Sequence, residues 1–208
     1  MAGKAAATAS CAAGYLIGSV PFGLIVGKAV GGLDVRDFGS GNMGTANVLR
    51  TLGARAGAIT FALDVAKGAA AIGLARGLGA DPEAQAAAGL AACVGHSWPV
   101  FARFRGGKAV ATAFGGLLMV SREAAAWATV GGIGALTVSR TMSVGSLTAA
   151  GTATLGAGLE SSRRRDAVPF VFTALASALV IVRHAPNIRR IARGEEPKLS
   201  ARLWGGRH

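Results

Sequence analysis

Charge is scarce in this sequence. Only 15% of its 208 residues are Asp, Glu, Lys or Arg, where a soluble domain carries about 25%. Hydrophobic residues make up 51% and the mean hydropathy is +0.46, which leaves too little polar surface to cover a water-exposed globule. Aromatic residues are few, with a single tyrosine. The two cysteines, Cys11 and Cys93, stand far apart in apolar stretches and read as small packing residues. No zinc-type spacing of Cys and His occurs, and neither a metal nor a cofactor is expected. Acidic residues are outnumbered 10 to 22 by basic ones, giving +12. In a soluble chain that excess would point to nucleic acid. Here the basic residues stand between apolar runs, no amphipathic basic face forms, and no basic helix runs on into heptads. Nucleic acid is therefore excluded as a partner and the lipid bilayer is expected instead. The positive charge reads as orientation bias and as attraction to anionic lipid and phosphate.

What is plentiful is alanine, valine, leucine and glycine, 32 of the last. Small residues let helix backbones approach closely in lipid. Seven apolar segments are legible, at about 5–30, 56–75, 84–101, 109–121, 124–139, 144–159 and 167–183. A full span needs about 20 residues, so several are short, 109–121 most of all. The first runs on without a processing site and reads as a retained helix. With the N-terminus outside, the inside loops hold Arg36, Arg50, Arg55, Arg103, Arg105, Lys108, Arg140 and the basic residues from Arg183 to Arg207. The outside holds Lys4, Arg76, Arg122 and Arg163 to Arg165. That asymmetry predicts an all-α, polytopic membrane protein of about seven transmembrane helices, N-terminus outside and C-terminus inside. The chain reads as one domain, 1–208, ending in a short polar tail at 199–208.

Three polar stretches interrupt the apolar pattern. The first is Asp37-Phe38-Gly39-Ser40-Gly41-Asn42-Met43-Gly44-Thr45-Ala46-Asn47-Val48-Leu49-Arg50. Its glycines and asparagines can present backbone N–H groups in a concave nest for an anion, with Arg50 placed to close over it. The second runs from Gly95-His96 to Thr112 and contains Gly106-Gly107-Lys108 ahead of an apolar helix. A lysine at a helix start after two glycines suits phosphate. It is not the nucleotide P-loop, because Ala109 follows the lysine. His96, beside Trp98 and Pro99, reads as a packed histidine. The third, Val182-Arg183-His184-Ala185-Pro186-Asn187-Ile188-Arg189-Arg190, ends the last segment. Its arginines read as a stop-transfer patch, while His184 and Asn187, three apart, can share a face. Asp64 and Lys67 lie inside an apolar run at i and i+3 and read as a structural ion pair.

Taken together these stretches resemble the bacterial acyl-phosphate:glycerol-3-phosphate acyltransferase family. Gly18–Gly23 resembles its opening motif, and Gly39–Arg50 its GSGNxGATNxxR loop. Leu63–Gly68 resembles its LDxxKG helix, and Gly95–Thr112 its GHxxPxFxxFxGGKGVAT stretch. Ser143–Thr148 resembles SxxSIT and Arg183–Gly194 resembles RHxxNIxRLxxG. The match is colinear from about residue 14 to 198. The resemblance implies a seven-helix enzyme of the bacterial inner membrane with a cytoplasmic active site. It would move a fatty acyl group from acyl phosphate to the sn-1 hydroxyl of glycerol 3-phosphate, giving lysophosphatidic acid. Ser40, Arg50, Lys108, His184 and Asn187 would be its catalytic residues. Gly39, Gly41, Asn42, Gly44, Thr45, Asn47, Gly106, Gly107 and Ser143 would bind substrate phosphate. Other enzymes of phospholipid synthesis would be its partners.

The sequence departs from that pattern in three places. Thr45-Ala46 is swapped, Ala109 replaces a glycine, and Ala185-Pro186 replaces Arg-Glu. The H-x-x-x-x-D signature of other glycerolipid acyltransferases is absent, since Phe101 and Arg189 stand five residues after His96 and His184. An already activated donor needs no protein nucleophile. Either a substrate phosphate oxygen or His184 could take the hydroxyl proton. Two other classes fit the composition: a transporter or channel for an anionic metabolite, and an inactive homologue that binds lipid precursors.

Overall fold

The computed structural model describes residues 2–199, with the side chains from Ala6 onward. Of the expected polar tail, residues 200–208 lie outside the described residues. The described residues contain ten α-helices and no strand: α1 Ala2–Gly18, α2 Phe22–Gly31, α3 Thr45–Leu52, α4 Ala54–Gly77, α5 Pro82–Ser97, α6 Val110–Val120, α7 Arg122–Ser139, α8 Met142–Arg164, α9 Val168–Arg183 and α10 Ala185–Ala192. Short 3₁₀ turns occupy Val35–Asp37 and Val100–Ala102.

Every one of the seven apolar segments is helical, but the first is divided into α1 and α2. Pro21 has no N–H to donate and pushes Val20 away from helical geometry. Hydropathy runs through the break unchanged, which is why the sequence reads there as a single segment. Among the described residues two stretches are long and apolar enough to cross a membrane, Ala6–Gly31 and Ala54–Gly77, of 26 and 24 residues. A third appears if α9 and α10 are counted together across their 61° bend. That bend falls at His184, just ahead of Pro186. The structure resolves it cheaply, because Pro186 sits in the first turn of α10, where no intrahelical N–H is needed. At 11 residues, α6 is about 16 Å long, roughly half the hydrocarbon thickness.

The helices approach closely through small residues. Gly14 and Gly18 of α1 lie against the backbones of Ala88 and Ala92 on α5, and Gly68 of α4 lies against Thr112 of α6. A Cβ at any of these would overlap main-chain atoms. Two helix starts, those of α5 and α7, carry side-chain caps: Asp81 accepts the Ala84 N–H at 2.8 Å and Ser121 accepts the Ala124 N–H at 2.9 Å. One apolar core, around Phe172, Ile72 and the alanines of α7 and α8, lies away from the polar loops. A second, around Val35, Met43 and Val48, sits beneath the first polar loop and seats it on α2 and α4.

Candidate active site

The first polar loop is folded by its own side chains. Gly39 and Gly41 take left-handed φ values of 59° and 67°, which bring the chain round in a tight turn. Asn47, buried on α3, donates to the carbonyls of Val35 at 2.7 Å and Phe38 at 3.1 Å, and its oxygen accepts from Ser40. Asn42 accepts the Gly44 N–H at 2.8 Å. Thr45 and Arg50 follow on α3. The Thr45 hydroxyl and the Arg50 Nε are buried without a hydrogen-bond partner.

The second polar loop is pinned from two sides. The Gly107 N–H donates to the His96 carbonyl at 3.0 Å. Arg183 donates from Nε to the Gly107 carbonyl at 3.0 Å and from a terminal nitrogen to the Gly106 carbonyl at 3.2 Å. Its guanidinium lies over the Trp98 ring, 5.1 Å from the centroid. Lys108 then turns toward the first loop. Burial pushes its amine down to about 8, and the charges of Arg190, Arg50 and Arg183 push the same way, against the opposing pull of Glu196.

The third part comes from α8, α9 and α10. His184 stands between α9 and α10 with Nδ1 2.8 Å from the Val180 carbonyl. A carbonyl can only accept, so the neutral ring carries its proton on Nδ1 and keeps a lone pair on Nε2. Asn187 donates to the Ser143 hydroxyl at 2.9 Å and to Glu196 at 2.6 Å. Ser143 also bonds Glu196, and Arg190 pairs with it at 2.7 Å. Burial opposes the charge on Glu196, but the donors Ser143, Asn187 and Arg190 outweigh burial and hold its carboxyl below the usual range. Sequence reading missed Glu196, and its only signal was an acidic residue in a basic tail.

Beneath these loops, Lys67 and Asp64 form the expected ion pair, 2.8 Å apart and each 2% exposed at the side chain. Lys67 also donates to the Val20 carbonyl at 2.9 Å, at the α1–α2 break. His96 Nδ1 lies 3.5 Å from the same Asp64 oxygen.

All three stretches converge on one cavity of about 110 Å³. Ser40, Asn42, Gly44, Thr45, Asn47, Arg50, Lys108, Ser143, His184 and Asn187 line it, together with Asp64 and His96. Gly39, Gly41, Gly106 and Gly107 do not line it. The first two shape the turn behind Ser40. The other two are buried, with carbonyls turned to Arg183 and no room for a side chain on Gly107 beside the His96 ring. Asn47 reaches the wall, but both its N–H donors are engaged within its own loop. A second, apolar cavity of about 410 Å³ adjoins the first, sharing Phe61, Val110, Met142 and Ser146 with it. Among the described residues no group of His, Cys, Asp and Glu could hold a metal ion.

A family profile, glycerol-3-phosphate acyltransferase, matches residues 8–194. The chain belongs to the glycerol-3-phosphate acyltransferase family. It is 43% identical to a glycerol-3-phosphate acyltransferase of Rubrobacter xylanophilus, over 93% of this chain and 95% of that one. It is 46% identical to one of Anaeromyxobacter dehalogenans, over 90% and 94%. Two crystal structures of PlsY, an integral membrane glycerol 3-phosphate acyltransferase, share the fold. The glycerol 3-phosphate form superposes with TM-score 0.85 at 35% identity, covering 93% of this chain and 96% of that one. The lysophosphatidic acid form gives 0.84 at 34%, covering 95% and 97%. Within this acyltransferase frame the three sequence departures fall differently. Thr45 and Ala46 both line the cavity, and Ala109 lines it with φ 58°. Ala185 and Pro186 are exposed on α10 and stay outside it.

Proposed function

We propose that this chain transfers a fatty acyl group from acyl phosphate to the sn-1 hydroxyl of glycerol 3-phosphate, with the polar cavity as its active site. The observation that carries the reading is convergence. Two cations, a histidine with a free lone pair and a buried threonine hydroxyl meet in one cavity, although they stand as far apart as residues 45 and 184. An apolar cavity of about 410 Å³ adjoins it. Lys108, Arg50 and Thr45 hold the phosphate of glycerol 3-phosphate and stabilise the charge on the departing phosphate of the donor. Ser40, Ser143 and Asn187 fix the glycerol. The hydroxyl attacks the acyl carbon, the bond to the donor's phosphate breaks, and the hydroxyl proton passes either to a phosphate oxygen or to His184. The acyl chain lies along Phe114, Leu117, Ile133 and Leu136.

The chain acts as a single domain in the bacterial inner membrane, spanning it seven times with the N-terminus outside and the site facing the cytoplasm. This topology is supported by the alternation of α4 to α9. It returns both glycine loops, the start of α8 and the end of α9 to one end of the bundle, the end richer in arginine. A reporter fused after His208 should be active on the cytoplasmic side only. The activity itself is tested by mixing purified protein, acyl phosphate and labelled glycerol 3-phosphate. Lysophosphatidate should form, and its absence with acyl phosphate but formation with another acyl donor would replace the donor assignment.

A further inference from the structure

A basic residue at the end of a last membrane helix is ordinarily a topology signal. Arg183 stands in that position, but its geometry differs from that of its neighbours. Arg189 and Arg193 are exposed, whereas Arg183 is only partly exposed and turns back into the protein. Its two donors meet the carbonyls of Gly106 and Gly107, and its plane lies on Trp98.

Those two glycines have no side chains with which to anchor themselves, and the loop they form carries Lys108. On one side the Gly107 N–H is held by the His96 carbonyl, and the His96 ring leaves no space beyond the glycine. On the other side the two carbonyls depend on the guanidinium. We propose that Arg183 is a positioning residue for Lys108: its fork bridges the Gly106 and Gly107 carbonyls and fixes the direction in which the lysine leaves the loop. A lysine cannot replace it. An ammonium is a point charge on a flexible stem, with no planar fork to span two carbonyls and no flat face for Trp98. Because His184 follows Arg183 directly, one turn at the end of α9 sets the position of both the phosphate-binding cation and the histidine.

This inference rests on the reading that Lys108 holds substrate phosphate. The test is a mutant cycle on kcat and KM, using Arg183→Lys, Lys108→Ala and the double variant, with thermal stability measured alongside. Arg183→Lys keeps the topology charge, so insertion and melting temperature should be retained. KM for glycerol 3-phosphate should rise roughly 10-fold or more, as expected for lost hydrogen bonds from a charged group. Once Lys108 is gone, adding Arg183→Lys should change kcat/KM by less than about 2-fold, because coupled residues do not add. Trp98→Leu, which removes the seat but keeps the fork, should give a smaller rise that also vanishes without Lys108. It carries the test should Arg183→Lys fail to fold. Parental KM in Arg183→Lys would return the arginine to a topology role. Multiplying losses in the double variants would mean that Arg183 acts independently of Lys108. Normal turnover in Lys108→Ala would instead overturn the phosphate reading itself, and the inference with it.

Discussion

The Asn47 side-chain oxygen accepts both the Ser40 backbone N–H, at 2.9 Å, and the Ser40 hydroxyl, at 3.2 Å. At the other end of the same amide, both N–H groups are used by Val35 and Phe38. Both Asn47 donors are thus engaged within its own loop, and its contact toward the cavity runs through Ser40. Replacing Asn47 by alanine takes the partner from four polar groups, the Val35 carbonyl in a buried bond and the Phe38 carbonyl, Ser40 N–H and Ser40 hydroxyl in part-buried ones; the buried one alone costs about 1–3 kcal/mol. Asn47→Ala should lower the melting temperature by several degrees and weaken turnover together. Ser40→Ala should reduce turnover with the melting temperature unchanged. A stable Asn47→Ala protein with only a raised KM would restore Asn47 to the list of phosphate ligands.

Ala109 sits in the left-handed region, φ 58° and ψ 10°, with its methyl fully buried beside Cys93, Ala113 and Ala176. The conformation costs a non-glycine residue roughly 1–2 kcal/mol. Burial of the methyl returns about 0.8 kcal/mol. The two nearly cancel, which accounts for an alanine being tolerated here. Ala109→Gly should therefore move stability by no more than about 1 kcal/mol, whereas Ala109→Val, branched at Cβ, should be markedly less stable. Thermal melts of the three proteins in detergent decide it.

The cation pair gives the most direct prediction. Lys108→Ala and Arg50→Ala should each lose about 10²-fold or more in kcat, on the scale of lost transition-state charge stabilisation, while the protein still inserts and melts normally. Near-normal kcat in both would remove the phosphate role from this cavity.

The parts of this site that were legible in the sequence are those whose signal is local. Asp64 and Lys67 are three residues apart, so their pairing followed from helix spacing alone. Ser40, Arg50 and Lys108 were marked by glycine-rich stretches that no spanning helix would contain. His96 could be read only as a packed residue, because its approach to Asp64 depends on how α5 lies against α4. Arg183 looked like one more basic residue in a basic terminus, and Glu196 like a solvated charge. What distinguishes them is burial, a tertiary property. The α1–α2 break was hidden for the opposite reason: Pro21 changes backbone geometry without changing hydropathy.

Lys108 also predicts a pH dependence. Its amine is held near 8 in the free protein, so it is a cation below that value and neutral above it. As pH rises through about 8, kcat/KM for glycerol 3-phosphate should fall, approaching tenfold per pH unit well beyond the midpoint. Lys108→Arg stays charged at every accessible pH and should lose this limb whatever its absolute rate. An unchanged limb in Lys108→Arg would assign the titration to another group.

The segment that follows α10 decides how Asn187 is held, through Glu196. Asn187 reaches the cavity wall with its two donors engaged by Ser143 and Glu196, which leaves its oxygen as an acceptor. Glu196 is kept in place by Arg190, and the following residues are tied down where the Leu199 N–H donates to the Arg140 carbonyl at 2.8 Å. Sequence spacing alone predicts Arg190 to be dispensable, but the ion pair makes it a support for Asn187. His184→Ala and Asn187→Ala should each cut the acyl-transfer rate at saturating acyl phosphate. Glu196→Ala should cut it too, since Ser143 and Asn187 then lose a shared acceptor. Arg190→Ala should have a smaller effect, because Glu196 keeps two of its three donors. Once Glu196 is already alanine, removing Arg190 should add nothing. If Arg190→Ala still lowers the rate in that background, the arginine acts on substrate directly, and the buried carboxylate is not the link between the tail and the site.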